Sequence, residues 1–323
     1  MACVLAGTTA GVAALLAVAA SLWLARAQRF DLDSWLRQAP AGAVHLLGRE
    51  TGAGGCQIRR FVVEVEGGGV PALLRLPASS PGPFPALVIL GGLGTGSQAV
   101  DLVDPSLPLV VAGLDYAYRA PEPMGALGLV RRLPEAWWGL LYTAAACRDL
   151  TRHVAALPEV DAGQVYLLGA SLGAPLATCV AASERPAGLI LLYGFSDHAT
   201  LIDKRLQPYV RSGYLRRQLA HWGADLTRPF DAARALPRLC GTPVLVVYSS
   251  ADDDLPAACS AALWSATCEP RERVDLPGGH IRPRQDLVLD ATSEAVLGWL
   301  RRRRAWRRRQ LRDPPAPAQR ARS

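Results

Sequence analysis

Apolar and polar positions along the chain change period several times, and each change marks a different kind of element. Residues 61–66 alternate and are rich in β-branched side chains, Gly67, Gly68 and Gly69 form a turn, and residues 70–76 follow. This predicts an antiparallel hairpin. Past a Pro/Ser/Gly cluster at 77–83 the pattern becomes short unbroken apolar runs at 86–90, 109–112, 165–168, 189–193 and 244–248. Helical periodicity fills the intervals, most clearly over 137–157, 172–183 and 286–300. Strands that are apolar on both faces and alternate with helices predict an α/β fold: a mostly parallel central sheet with helices on both faces. No internal repeat is visible.

Three segments stand apart from that alternation. Residues 2–25 contain no charged side chain and are dominated by Leu, Val and Ala, enough to cross a bilayer as an apolar N-terminal helix. No basic residue precedes this run, whereas Arg26 and Arg29 follow it. The charge bias favours a single-pass anchor over 1–27 with the body in the cytoplasm; a cleaved export signal ending at Ala25, Arg26 and Ala27 is the alternative. Residues 28–58 read as a linker with an adaptor helix around 32–38, ahead of a body over 59–300. Residues 195–240 mix Tyr209, Tyr214, Trp222 and Phe230 with Lys and Arg. They read either as one or two helices over the sheet, a possible small lid, or as a plain crossover.

Composition sharpens this picture. The chain has 323 residues, of which 50% are apolar and 20% charged, which excludes bulk disorder and suits one large domain. The net charge of +7 belongs to the tail: residues 301–323 hold ten Arg and one Asp, so they carry +9 and the rest of the chain −2. The tail reads as basic and partly disordered, with an anionic lipid surface as its expected partner, helped by Trp306. A plain solvated tail is the bland reading and non-specific nucleic-acid binding the weakest. The seven cysteines are scattered, with no C-x-x-C pair to suggest zinc or redox chemistry, and Cys147 and Cys179 sit in apolar helical patterns. That spacing favours a reducing compartment.

The chemistry concentrates at Gly169-Ala-Ser171-Leu-Gly173, a G-x-S-x-G between a predicted strand and a predicted helix. A serine on a sharp strand-to-helix turn projects its hydroxyl from the top of the sheet, and its flanking positions must be nearly free of side chain. The Leu172 amide then lies at a helix N-terminus, where free N–H groups favour an oxyanion. Residues 83–300 resemble the α/β-hydrolase superfamily, and the stretch 157–173 is similar to the dienelactone hydrolase-like esterases, with Ser171 where those enzymes proper carry a cysteine.

The resemblance implies a catalytic triad in the chain order serine, acid, histidine. His45 and His153 precede Ser171, and His198 and His221 lie in the connecting region. His280, in the glycine-rich loop Leu276-Pro-Gly-Gly-His280, is the expected base. The acid follows the strand at 244–248, where alignment favours Asp252, with Asp253 and Asp254 beside it and Asp197, after the strand at 189–193, as a rival. The second oxyanion donor is expected from the amide of Leu93 in the glycine-rich loop 91–96. That loop lacks the G-K-[ST] of a phosphate site. The implied activity is hydrolysis of a carboxylic ester or thioester through an acyl-enzyme, with no metal or organic cofactor. An acyltransferase with the same triad and a non-catalytic binding protein at a membrane are the alternatives.

Overall fold

The computed structural model describes residues 25–78, 82–92, 94–118, 126–282 and 286–312. The hairpin is β2 (Gln57–Val65) and β3 (Gly68–Leu76), preceded by an edge strand β1 (Val44–Thr51). The apolar runs are β4 (Phe84–Leu90), β5 (Val110–Leu114), β6 (Val160–Ala170), β7 (Gly188–Leu192) and β8 (Val244–Tyr248), with β9 (Arg271–Asp275) at the far edge. Ala86, Val88 and Leu90 of β4 point into one core, while Leu87 and Ile89 point into the other. Burial on both faces is why these strands read as continuous apolar runs. The sheet order is β1-β2-β3-β5-β4-β6-β7-β8-β9. Pairing is antiparallel from β1 to β5 and parallel from β5 to β9.

The helices follow in chain order: α1 (Leu32–Gln38), α2 (Ala126–Ala155), α3 (Gly173–Glu184), α4 (His198–Leu206), α5 (Gly213–Thr227), α6 (Ala232–Ala235), α7 (Ala257–Ala266) and α8 (Asp286–Arg312). One core lies between the sheet and α1, α2 and α3. The other is covered by α8 and by the 3₁₀ turn Gly96–Leu102.

Several expectations are corrected. Among the described residues no helix is long and apolar enough to cross a membrane, which overturns the reading as a single-pass membrane protein with a cytoplasmic body. The two longest helices fail for a plain reason. Inside α2 lie Arg148 and Asp149, and α8 ends in the arginine run. The apolar stretch 2–24, from which the anchor was expected, falls outside the described residues. In the basic run, Arg302 and Arg303 are engaged by Glu272 of β9 rather than free for a lipid surface. The stretch 28–58 contains the expected adaptor helix as α1, but also β1 and the start of β2. Mostly exposed and paired with a single neighbour, β1 lacks the apolar run that marks the central strands. The scattered cysteine spacing conceals a disulfide between Cys240 and Cys268, which removes the argument from spacing for a reducing compartment.

Arg148 ties the adaptor helix to the body. Its side chain is fully buried, and all five of its N–H groups are used. Two reach Asp149, at 2.7 and 3.0 Å. The others reach the carbonyls of Leu36, of Ala39 at 2.9 Å and of Pro40 at 2.8 Å. Asp149 in turn accepts from the Gly42 amide at 2.9 Å. The carbonyls are those left unpaired at the end of α1, so the guanidinium serves as a cap supplied from 108 residues away. Arg148→Ala leaves the buried Asp149 carboxylate without its counter-charge, with only the Gly42 amide beside it, and strips the carbonyls at the end of α1 of their donors. It is expected to lower the unfolding free energy by about 3–5 kcal/mol. Urea titration followed by circular dichroism checks this, and a loss below 1 kcal/mol would contradict the role assigned to the clamp.

Candidate active site

The G-x-S-x-G segment forms the turn from β6 into α3. Ser171 has φ 52°, the left-handed region that an L-residue adopts only when its surroundings enforce it. Its amide donates to the Leu192 carbonyl at 2.9 Å and its carbonyl accepts from Ala174 at 3.0 Å. The glycines are there for space. A Cβ on Gly173 would lie 2.0 Å from the Leu90 carbonyl oxygen, and one on Gly169 would lie 2.5 Å from that of Gly173. Leu172 immediately precedes α3, so its N–H has no acceptor within the helix.

His280 Nε2 lies 3.0 Å from Ser171 Oγ, and His280 Nδ1 lies 2.7 Å from Asp252 Oδ2. The three side chains come from loops after β6, β8 and β9, over the C-terminal end of the sheet. The imidazole and the carboxylate are nearly buried, with side chains 9% and 6% exposed. Asp252 Oδ1 accepts from the amides of Asp254 at 2.8 Å and Leu255 at 3.0 Å. Burial works to raise the Asp252 pKa. The hydrogen bond to His280, the two amides and the imidazole charge together outweigh burial and hold it below the usual carboxylate range. An ionised carboxylate only accepts, so Nδ1 carries a proton toward Asp252; in the neutral imidazole Nε2 is then the acceptor that faces the serine.

The rival positions lie elsewhere. Asp197 caps α4, accepting from the Thr200 amide at 3.3 Å and its hydroxyl at 2.5 Å. Asp253 offers its carbonyl to Lys204, and Asp254 pairs with Arg282 at 3.0 Å. His198 is buried with Nδ1 2.8 Å from Thr227 Oγ1, and His45 pairs with Glu64 at 3.1 Å. Leu93 lies outside the described residues. Around it, the Gly91 carbonyl accepts from the Tyr116 hydroxyl at 2.7 Å, and the Thr95 amide donates to the Gly92 carbonyl at 2.9 Å. A Cβ on Gly92 would be 3.8 Å from that of Ser171, so this loop passes beside the serine.

Three residues near the site escape sequence reasoning. Tyr193, wholly buried with φ 48°, packs edge-on against the His280 ring at 5.6 Å between centroids. The Ser249 hydroxyl donates to the Gly278 carbonyl and accepts from the Ala251 amide at 3.1 Å. It therefore joins the loop carrying Asp252 to the loop carrying His280. Tyr116 pins the loop beside the serine.

A cavity of about 400 Å³ opens beside Ser171. Its walls are Leu87, Ile89, Leu168 and Leu192 from the sheet, and Val296 and Leu297 from α8. No residue of 195–240 lines it. Among the described residues no cluster of His, Cys, Asp and Glu is disposed to hold a metal ion.

No family model matches the chain. It is 30% identical over 252 residues to an uncharacterized protein of Mycobacterium tuberculosis, matched in strains CDC 1551 and H37Rv, with 74% of this chain and 81% of the relative covered. Among solved structures it is similar to acetyl xylan esterase 1 of Thermoanaerobacterium, with TM-score 0.59 and 17% identity, covering 84% of this chain and 92% of that one. The acetyl xylan esterase of Paenibacillus gives TM-score 0.59, 19% identity and coverage of 82% and 92%. The S-formylglutathione hydrolase of Agrobacterium tumefaciens gives 0.54, 15%, and 80% and 99%. The fold is that of the α/β hydrolases.

The depressed pKa of Asp252 has a sign that can be measured. Stability from a carboxylate held below its unfolded value, about 3.9, is present above that value and is lost as pH falls through the folded one. The melting-temperature difference between the native chain and Asp252→Asn is therefore expected to be full at pH 6 and to shrink progressively as pH falls below about 4. Circular dichroism melts between pH 3 and 7 test it, and a difference unchanged at pH 3 would contradict it.

Proposed function

We propose that this chain, which belongs to the same family as the Mycobacterium tuberculosis protein, is a serine hydrolase that cleaves a carboxylic ester or thioester through an acyl-enzyme. The observation that carries the reading is the hydrogen-bonded relay from Ser171 through His280 to Asp252 on a turn with left-handed backbone. Esterases among the solved structures of like fold add support.

The steps follow from the geometry. Ser171 Oγ attacks the acyl carbon while His280 Nε2 takes its proton. The new C–O bond leaves the carbonyl oxygen negative, and the Leu172 amide at the N-terminus of α3, with that of Leu93, stabilises it. The bond to the leaving group then breaks and His280 returns the proton to the alcohol or thiol. Water, deprotonated by the same nitrogen, releases the acid and restores Ser171. Asp252 holds the imidazole in the required tautomer and stabilises its charged form. The chemistry calls on no cofactor.

Ser171→Ala is expected to abolish labelling by a fluorophosphonate probe and to lower ester turnover by several orders of magnitude while the melting temperature barely moves. Retained labelling would move the nucleophile elsewhere. Asp252→Asn should cost on the order of 10³–10⁴ in kcat. The same change at Asp197, Asp253 or Asp254 should cost less than tenfold. A large loss at Asp197 alone would shift the acid to the end of β7.

A further inference from the structure

We infer that the site acts on uncharged acyl groups of medium length, whose aliphatic chain lies in the cavity between the sheet and α8. This rests on the reading of Ser171 as the nucleophile. The cavity exists because the connection from β4 to β5 is unusually thin. Parallel strands are normally joined over a helix, but here the described part of the connection holds only the 3₁₀ turn Gly96–Leu102. Arg75 of β3 fastens that turn in place through the carbonyls of Val100 at 2.9 Å and Asp104 at 3.2 Å. The cavity lies between that turn, the strands and the N-terminal half of α8.

The walls define the occupant. Leu87, Ile89, Leu168, Leu192, Val296 and Leu297 offer nothing to hydrogen-bond and make up the larger part of the wall, which suits an aliphatic chain, although Thr95, Thr292 and Ser293 also line it. Asp101, Asp104 and Asp290 stand among its lining, and the basic residue there, Arg282, is paired with Asp254. A carboxylate or phosphate at the chain's far end is disfavoured by that charge. A methylene and a water molecule fill comparable space, about 30 Å³, so about 400 Å³ holds at most about thirteen such groups, and roughly six to ten acyl carbons once the reacting ester group and incomplete filling are allowed for.

The test is a series of p-nitrophenyl esters from acetate to palmitate on the full chain. Burial of each methylene should raise kcat/KM about threefold to fourfold up to about octanoate, with a fall beyond about decanoate. Ser293→Phe, which places a ring in the cavity from α8, should lower the octanoate-to-acetate ratio of kcat/KM at least tenfold. Inhibition of the native chain by n-alkylboronic acids supplies a measure independent of any variant, and affinity should rise with alkyl length over the same range. Three results would overturn the inference while leaving the nucleophile standing: acetate as the best ester with fluorophosphonate labelling intact, boronic acids of all lengths binding alike, or a monoester ending in a free carboxylate turned over as well as the neutral octanoate. No labelling of Ser171 and no turnover of any ester would instead remove the serine hydrolase reading, and this inference with it.

Discussion

The contact on which the rest of the site depends is the backbone approach of α3 to the ends of β4 and β6. Gly173 sits so close to the Leu90 and Gly91 carbonyls that a methyl group there would overlap both, at 2.0 and 2.7 Å. Only at that distance does the chain reverse sharply enough to lift Ser171 above the sheet. Holding a serine at φ 52° costs about 1–3 kcal/mol. Its amide bond to Leu192 and carbonyl bond from Ala174 leave the residue no other conformation. The same approach brings the N-terminus of α3 against the end of β4, so the turn that exposes the hydroxyl also leaves free helix amides beside it.

The parts of this arrangement that follow local rules were legible in the chain. Gly169 and Gly173 mark a turn that no other residue fits, the two-faced runs mark the buried parallel strands, and the glycines before His280 mark a loop free to reach across. The adaptor helix at 32–38 was visible too. The parts that depend on distant partners were not. β1 is an edge strand with little to bury, so it carries no strong pattern. Arg148 reads as one more charge on a helix until its five donors meet the end of α1. Cys240 and Cys268 lie 28 residues apart with nothing local to pair them. The apolar run ending at 193 gave no hint that its last tyrosine turns back against the imidazole.

The three consecutive aspartates illustrate the boundary between the two kinds of information. By composition they are interchangeable. Asp252 differs because its position just past β8 lets one carboxylate oxygen close a turn with the amides of Asp254 and Leu255 while the other faces His280. Ser249 fixes that relation by joining both loops. Asp253 and Asp254 are left outside, where Lys204, Arg205 and Arg282 meet them. One carboxylate thus both closes the turn and meets the His280 imidazole.

The cavity comes from what a connection lacks, and this is why pattern reading passes over it. The residues of the 91–109 connection pack well enough to bury Ala99 and Val100, and a run of that length looks sufficient for a helix. What matters is that the described turn is short and is fastened by Arg75, and that the cavity opens between it, the strand side chains and α8. Leu87 and Ile89 were chosen, as core residues are, to be apolar on the second face of the sheet. With no helix over them, the same side chains become a binding surface. The apolar patterning that identifies the fold therefore also decides the chemistry the site can admit, since a wall built to repel water near Ser171 favours an acyl chain over a hydrated one.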